Sequence, residues 1–388
     1  MNKYIETSHY DALIVGARCA GAATAMLLAR QGARVLLIDR AMAGTDTMST
    51  HALMRGAVMS LHRWGLLDTV ANCGTPAIRQ TSFRYGNEDI TLALKSRDGV
   101  DALYAPRRYV LDSILVEAAR DAGAEVMHFT SLTELKFTGD RVTGAVLVHG
   151  SDTMEITADL VIGADGTGSS VARMVGAETT HSMKHATASL YGYVPGLDNE
   201  GYRWAYTLGA GAGAIPTNDG MHCVFTSIPT DMRKRVMTGG VQSVYRVMLR
   251  MMMPEIADAA SATADKIVRF GGIRGYLRKA HGPGWALVGD AGYFKDPLTA
   301  HGITDAFRDA ELLARAVAHG TEGAMQVYEV VRDELSLPLL RITDRIAACD
   351  WTMPELQSLH KELNRIMNHE VTEMAEMMPA AAAPRVAA

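Results

Sequence analysis

The chain is poor in the residues that build disulfide scaffolds, zinc sites and membrane spans. Only four of its 388 residues are cysteines, and they lie far apart, with no CxxC pair and no cluster with histidine. This spacing argues against a disulfide framework or a metal site and is typical of a reducing compartment. No apolar stretch approaches the roughly 18 residues that span a bilayer, and the polar first residues do not resemble a signal peptide. We therefore expect a cytoplasmic protein without stable membrane insertion.

The chain also lacks an excess of basic residues. The 38 lysines and arginines are outnumbered by 43 aspartates and glutamates, which gives a formal net charge of −5, and no dense basic run occurs. Such a surface repels nucleic acid, so we expect no nucleic-acid partner. Apolar residues make up 48% of the chain, enough at this length for a soluble protein of two domains.

The beginning of the chain has the pattern of a nucleotide-binding βαβ unit. Its elements are an apolar strand at 12–15, a turn at 16–21, a helix at 22–30 and a buried strand at 34–39. Gly16 and Gly21 would let backbone N–H groups meet a pyrophosphate, and Asp39 would accept a hydrogen bond from a ribose. Arg18 replaces the middle glycine of the usual GxGxxG pattern and would either pair with a phosphate or point into solvent. An ordinary βαβ crossover is the alternative interpretation.

Two later segments also place an aspartate at the end of an apolar strand. The first ends in Asp165-Gly166, which alone is equally typical of any strand and turn. The second contains Asp290 and a loop with Pro297 that leads into a helix at Gly302, whose backbone N–H groups can face a developing anion. Between the two, from about 180 to 280, clustered aromatic residues and glycine-rich turns predict a separate antiparallel sheet.

These three motifs in this order resemble the flavoprotein aromatic hydroxylase (group A FAD-dependent monooxygenase) superfamily, with features of the related geranylgeranyl reductase branch. The resemblance covers roughly residues 10–175 and 280–320. It implies an α/β fold: an FAD-binding Rossmann-like domain of the glutathione-reductase type, an inserted antiparallel β-sheet substrate domain, and C-terminal helices. The domains expected on this basis are 1–75, 100–178 and 280–335 for FAD, 76–99 and 179–279 for the substrate sheet, 336–378 for the C-terminal helices, and a disordered tail at 379–388.

The resemblance also implies which residues bind FAD. Asp290 would hold the ribityl chain, Pro297 would line the isoalloxazine, and the amides of Gly302 and Ile303 would face its N1–C2=O edge. Arg108 would reach the phosphates. The full set of cofactor-binding residues expected is Gly16, Arg18, Cys19, Ala20, Gly21, Asp39, Arg40, Arg108, Asp165, Gly166, Asp290, Pro297, Gly302 and Ile303.

Catalytic candidates are His301, Pro297 and His51. His301 would stabilise an anionic reduced flavin as an imidazolium, unless its ring faces solvent and only the backbone matters. His51 is a candidate for contact with flavin or substrate, against an ordinary position at the N-terminus of a surface helix. Tyr191, Trp204 and Tyr206 would form an aromatic wall for a planar substrate, although aromatics that alternate in strands are more often sheet core.

The function implied by the resemblance is an NAD(P)H- and O₂-dependent monooxygenase. It would hydroxylate an aromatic or polycyclic small molecule through a flavin C4a-hydroperoxide, with electrons from NAD(P)H directly or through a separate flavin reductase. The alternative is a flavin-dependent C=C reductase or dehydrogenase of the geranylgeranyl reductase type, acting on an apolar substrate. Asp296-Pro297 favours this branch. The lack of a WxWxIP sequence argues against halogenation. A nucleotide-binding module without catalysis is a third interpretation.

Overall fold

A computed structural model describes residues 8–233, 240–263 and 266–376. The tail predicted to be disordered, 379–388, lies outside these ranges. Within them the strands are β1 (Ser8–Val15), β2 (Val35–Ile38), β3 (Gln80–Tyr85), β4 (Glu88–Ala93), β5 (Glu125–Met127), β6 (Thr130–Thr138), β7 (Arg141–His149), β8 (Asp152–Gly163), β9 (Thr179–Ser182), β10 (Thr187–Pro195), β11 (Tyr202–Thr207), β12 (Ala210–Pro216), β13 (Met221–Pro229), β14 (Val268–Phe270), β15 (Tyr276–Arg278), β16 (His281–Gly282), β17 (Trp285–Leu287) and β18 (Tyr293–Phe294).

The helices connect and cover these strands. They are α1 (Cys19–Arg30), α2 (Arg55–Arg63), α3 (Leu67–Asn72), α4 (Arg108–Asp121), α5 (Ser170–Met174), α6 (Val241–Met252), α7 (Pro254–Thr263), α8 (Gly302–His319), α9 (Glu322–Ala347) and α10 (Met353–Glu376). No described helix combines the length and the hydropathy needed to cross a membrane.

A parallel sheet carries the nucleotide-binding motifs. Its strands run in the order β17-β8-β1-β2-β5, and β6 and β7 extend it as antiparallel strands beside β8. β1 lies at its centre, and its side chains Leu13 and Ile14 are therefore buried on opposite faces of the sheet. Helix α1 packs against α4 and α8 on one face. The motifs at the ends of β1, β2 and β8 therefore meet at one edge, where ligands bind in sheets of this kind.

The second sheet has seven strands in the order β14-β10-β13-β12-β11-β3-β4. It is antiparallel apart from the pair β3–β11, because the hairpin β3–β4 joins it from an earlier part of the chain. α6 and α7 cover one face of it, and the sequence analysis did not predict them. In α6 the buried positions, Val244, Tyr245, Met248, Leu249 and Met252, recur every three or four residues.

The C-terminal helices join the two sheets. α9 packs against α8, and α10 packs against both α9 and α2. A third, small sheet has three strands in the order β18-β15-β9. The predicted architecture is confirmed: a mixed α/β fold with a parallel nucleotide-binding sheet, a largely antiparallel second sheet and helices at the C-terminal end.

Candidate active site

A cleft of about 740 Å³ runs from the end of β1 to the face of the seven-stranded sheet. One end is lined by the turn after β1, and the other by side chains of β10 and β13. Its volume is typical of a site for a large organic ligand. Thirteen of the fourteen expected cofactor residues line it, all except Gly21.

Gly21 is needed for packing within the turn itself. A Cβ at this position would lie 1.8 Å from the carbonyl oxygen of Gly16 and 3.1 Å from the Ala164 side chain. Gly16 has a φ of 107°, which L side chains rarely adopt, and its own Cβ would meet Ala164. The two glycines therefore let helix α1 begin directly beside the end of β8.

The Arg18 guanidinium is held by an ion pair, so it is not free to turn into solvent or towards the cleft. Its Nη1 lies 3.0 Å from Oδ2 of Asp112, whose other oxygen accepts from Nη2 of Arg108, also at 3.0 Å. The Cys19 thiol donates to the same carboxylate at 3.2 Å, and burial raises the pKa of this thiol. Asp112, which the sequence analysis missed, thus holds two cleft-lining arginines side by side. An i, i+4 spacing from Arg108 along α4 was the available signal.

Asp39 and Asp165 each shape a turn at the edge of the cleft. Asp39 accepts the backbone N–H groups of Ala17 and Ala41, both at 2.7 Å. Asp165 accepts the N–H of Ser170 at 2.6 Å, at the start of α5, and the hydroxyl of Ser169 at 2.5 Å. Both carboxylates line the cleft while they fix the backbone around it.

Asp290 behaves differently from these two aspartates. It is half-buried at the cleft, and no described residue donates a hydrogen bond to its carboxylate. Burial raises the pKa of Asp290 from 3.8 to about 6; Asp305 raises it further, while Lys295 and Arg108 oppose the shift. This carboxylate at the cleft is therefore free to accept a hydrogen bond from a ligand hydroxyl.

The loop after Asp296 forms the next part of the cleft. Asp296 accepts the backbone N–H of Leu298 at 3.0 Å, as expected of a residue that caps a turn. Ala300 follows in the left-handed conformation with a φ of 50°. Pro297, Gly302 and Ile303 all line the cleft. A Cβ at Gly302 would meet no protein atom within 4 Å, so the start of α8 is open to a ligand.

The His301 ring does not face solvent, and a residue of the C-terminal helix holds it in place. Nε2 is hydrogen-bonded to Glu370 of α10, and Glu370 also accepts from Nη1 of Arg308 at 2.6 Å. Burial would raise the pKa of Glu370, but the His301 ring and the Arg308 guanidinium outweigh it and lower this pKa below its usual value. His301 itself lines the cleft.

Lys295 and Asp305 form a buried ion pair at the cleft and were not predicted. Asp305 also accepts from Nη1 of Arg308 at 3.3 Å. His301, Asp305 and Glu370 come close enough to suit a metal ion. Their carboxylates are already paired with Lys295 and Arg308, so the group is an ion-pair network that joins α8 to α10.

The residues present fit FAD. α1 and α8 both begin at the cleft, and neither has a side chain that caps its first turn, which leaves backbone N–H groups for a ligand. The turn at Gly16 with Arg108 would hold the pyrophosphate, Asp290 the ribityl hydroxyls, and the loop at Pro297 the flavin ring. Residues 9–327 match the FAD binding domain family.

The chain belongs to this family. As a member of it, the protein is an FAD-dependent oxidoreductase. It is 29% identical over 353 residues to a digeranylgeranylglycerophospholipid reductase of Methanosarcina mazei, a match over 84% of this chain and 79% of that protein. It is 25% identical over 334 residues to a menaquinone reductase of Mycolicibacterium smegmatis, over 80% of this chain and 76% of that protein.

Solved structures of FAD enzymes share the fold. A probable FAD-dependent monooxygenase from Pseudomonas aeruginosa superimposes with a TM-score of 0.76 at 20% identity, covering 93% of this chain and 100% of that one. A flavin-dependent brominase gives a TM-score of 0.76 at 17% identity, covering 96% and 95%. At this level of identity the likeness shows the architecture of an FAD-binding protein and leaves the reaction open.

His51 lies beside the FAD cleft without lining it. Its neighbours Thr50 and Ala52 line the cleft, while the ring is fully buried and its Nε2 is 2.6 Å from the Tyr193 hydroxyl. Burial lowers the pKa of His51 to about 3, so the ring is neutral at physiological pH. His51 has a φ of 66° and does not lie at a helix terminus, because α2 begins at Arg55.

The predicted aromatic wall is formed differently. Tyr191 lines the FAD cleft, but Trp204 and Tyr206 do not. Trp204 packs edge-on against Phe225, with ring centroids 5.7 Å apart, and Tyr206 packs between Trp351 and His360. Apolar residues that join Tyr191 in the lining include Phe225, Phe270, Ile273, Phe294 and Leu298. Phe225 was missed because the sequence alone does not say which face of β13 meets the flavin loop.

Proposed function

We propose that this FAD-dependent oxidoreductase is a reductase that saturates C=C bonds in an apolar, isoprenoid-like substrate. The observation that carries the proposal is the extent of the similarity to digeranylgeranylglycerophospholipid and menaquinone reductases. It spans 84% and 80% of the chain, so a continuous match of either length contains the seven-stranded sheet, whose strands lie between Gln80 and Phe270.

The lining of the cleft supports an apolar substrate. Beyond the flavin loop its wall consists mainly of aromatic and aliphatic side chains. Two serines on this wall, Ser189 and Ser227, are hydrogen-bonded to each other at 2.7 Å. They are therefore poor anchors for a polar ligand, and binding on this wall would come chiefly from burial of apolar surface.

The protein's own residues prepare the site for reduction. Bound FAD, once reduced, would supply a hydride to one carbon of the C=C bond, and a proton drawn from solvent would add to the other carbon; NAD(P)H or a separate flavin reductase is proposed as the source of electrons. Asp296 holds the loop that would face the flavin, and Tyr191 and Phe225 hold the substrate against it. The apolar wall excludes water from the space between them.

Hydroxylation of an aromatic ring is the second candidate. The fold shared with the Pseudomonas aeruginosa monooxygenase supports it, and Tyr191 and Phe225 offer flat surfaces on which a ring could lie. We rank it second because the sequence relatives named above are reductases.

One experiment separates the two reactions. The purified holoenzyme, reduced with dithionite, is incubated without oxygen with an unsaturated isoprenoid such as geranylgeraniol, and the products are analysed by mass spectrometry. A reductase adds two hydrogen atoms under these conditions. Parallel samples receive ¹⁸O₂ and either the isoprenoid or a panel of phenols. Incorporation of one ¹⁸O atom, with no anaerobic product, would reject the reductase in favour of the hydroxylase.

A further inference from the structure

Four residues opposite one another in the seven-stranded sheet form a row across one of its faces. Tyr191 of β10 pairs with Phe225 of β13, and Phe225 pairs with Gly213 of β12. Gly213 pairs in turn with Trp204 of β11. Residues paired in this way point to the same face of a sheet, and Tyr191 and Phe225 line the cleft. The row therefore has three aromatic side chains and one position without a side chain, Gly213.

The Phe225 ring fills the space above Gly213. A Cβ added at Gly213 would lie 2.5 Å from Cζ and 2.6 Å from Cε1 of Phe225, well inside the roughly 3.5–4.0 Å at which carbon atoms pack. The ring thus rests on β12, on the side of β13 away from Tyr191. The Tyr191 ring packs along its own strand, edge-on against Tyr193, with centroids 5.9 Å apart. Because the two opposed rings turn to different neighbours, the cleft wall stays open between them.

Trp204 closes the far side of the Phe225 ring. The two rings meet edge-on, with centroids 5.7 Å apart and an interplanar angle of 63°. Trp204 is itself packed edge-on against Tyr202 at 6.5 Å, and the Tyr202 hydroxyl donates to the Tyr104 carbonyl at 2.6 Å. A Phe225 ring displaced from β12 therefore has no room towards Trp204, so it would turn towards Tyr191 and into the cleft.

We propose that Gly213 is a positioning residue that sets the width of the cleft, acting through Phe225. The missing side chain lets the ring rest on β12. This leaves room between Phe225 and Tyr191 for the methyl branches of an isoprenoid chain. The nature of the chain rests on the proposed function, whereas the effect of Gly213 on the position of the ring does not.

Alanine is the smallest substitution that would narrow the cleft. Gly213 does not have the positive φ that would exclude alanine, so the new methyl group acts mainly on its neighbours. The carbonyl oxygen of Arg203, 2.9 Å from the added Cβ, would also have to move slightly. Methyl branches make an isoprenoid wider than a straight chain of the same length, so a displaced Phe225 ring would exclude the branched chain first. In an apolar pocket a single misfitting methylene changes discrimination by about tenfold or more.

The test is a double-mutant cycle on oxidised holoenzyme. The variants are Gly213→Ala, Phe225→Leu and the double variant. Leucine keeps an apolar side chain but lacks the Cε1 and Cζ atoms that the new methyl group would meet. Gly211→Ala is the control, because Gly211 lies two residues earlier on β12 and a Cβ there would be 3.4 Å from the Tyr206 side chain, an ordinary contact.

Isothermal titration calorimetry measures the binding of two alcohols to each protein. They are geranylgeraniol and hexadecanol, whose main chain is as long but carries no methyl branches. We expect Gly213→Ala to lose about tenfold in affinity for geranylgeraniol and far less for hexadecanol. In the Phe225→Leu background the same substitution should change neither affinity, because the atoms that clash are absent. The control should bind both alcohols as the wild type does, and FAD content is recorded for every protein.

A crystal structure of the Gly213→Ala holoenzyme gives a readout that needs no substrate. We expect the Phe225 ring to be turned towards Tyr191. A ring that stays in place while β12 shifts would overturn the inference, as would equal losses for the two alcohols or an undiminished loss in the Phe225→Leu background. If Gly213→Ala is too unstable to purify, Phe225→Leu must restore the protein for the inference to stand. If geranylgeraniol does not bind the wild type, the proposed isoprenoid substrate fails, and the crystal structure still decides the role of Gly213.

Discussion

Thr187 donates two hydrogen bonds to one carboxylate, that of Asp296. Its backbone N–H lies 2.6 Å from Oδ2, and its hydroxyl lies 2.8 Å from Oδ1. Thr187 begins β10, the strand that carries Tyr191, and Asp296 begins the loop at Pro297. The substrate wall and the flavin loop are therefore tied together at a single buried carboxylate.

Thr187→Val should weaken this tie without changing the shape of the side chain. Loss of a hydroxyl donor to a buried charged group should lower the free energy of unfolding by about 1.5–3 kcal/mol. Urea denaturation of the variant would measure the change. Thr91→Val, on the exposed edge strand β4, is the control and should shift stability far less. Equal effects of the two substitutions would contradict the importance of the Asp296 contact.

Asp290→Asn should weaken FAD binding but stabilise the protein without FAD. Because burial raises the pKa of Asp290 from 3.8 to about 6, the folded state binds its proton more tightly than the unfolded state does. Stability of the wild-type apoprotein should therefore fall as the pH rises from about 4 to about 6, by roughly 1–3 kcal/mol. In Asp290→Asn this fall in stability should be absent, because asparagine does not ionise.

Thermal unfolding of both apoproteins across this pH range checks the prediction, with FAD titrations beside it. The variant should be the more stable protein above pH 6, and the difference should vanish near pH 4. A variant that binds FAD as tightly as the wild type would show that Asp290 does not hold the cofactor.

Gly21→Val should abolish FAD binding by displacing the turn. The new side chain would begin 1.8 Å from the Gly16 oxygen, so the backbone of the turn must move. Gly323→Ala in α9 is the matched control, because no protein atom lies within 4 Å of its Cβ, and alanine should stabilise that helix by roughly 0.5–1 kcal/mol. The measurement is the flavin absorbance of each purified protein. Normal flavin content in Gly21→Val would refute the role assigned to the turn.

Tyr191→Ala and Tyr206→Ala should fail in different ways. Tyr191 lines the cleft, so its loss should raise the KM for substrate while FAD content stays near the wild-type level. Tyr206 packs against Trp351 and His360 at the C-terminal helices, so its loss should cost roughly 2–4 kcal/mol of stability instead. Steady-state kinetics and denaturation on both variants distinguish the roles. If Tyr206→Ala raised the KM for substrate without lowering stability, Tyr206 would have to contact the substrate after all.

Local sequence determined the elements around the cofactor. Gly21 is required within the turn itself by the carbonyl oxygen of Gly16, and the stripe of apolar residues in α8 depends on its own helical period. Both could be predicted from the chain. The order of three such motifs indicated FAD through their resemblance to the flavoprotein aromatic hydroxylase superfamily.

Only the tertiary structure decided which residues of the second sheet and of the C-terminal helices lie near the flavin site. Thr187 and Asp296 are 109 residues apart, and His301 and Glu370 are 69 apart. No local propensity specifies such partners, because they depend on how whole sheets and helices pack. The same packing places Tyr206 against the C-terminal helices and Tyr191 at the cleft. The sequence did not distinguish them, because both are aromatic residues in predicted strands of the same sheet. The sequence by itself determined which cofactor this protein is built to hold, and the packing of distant elements decided which side chains can act on it.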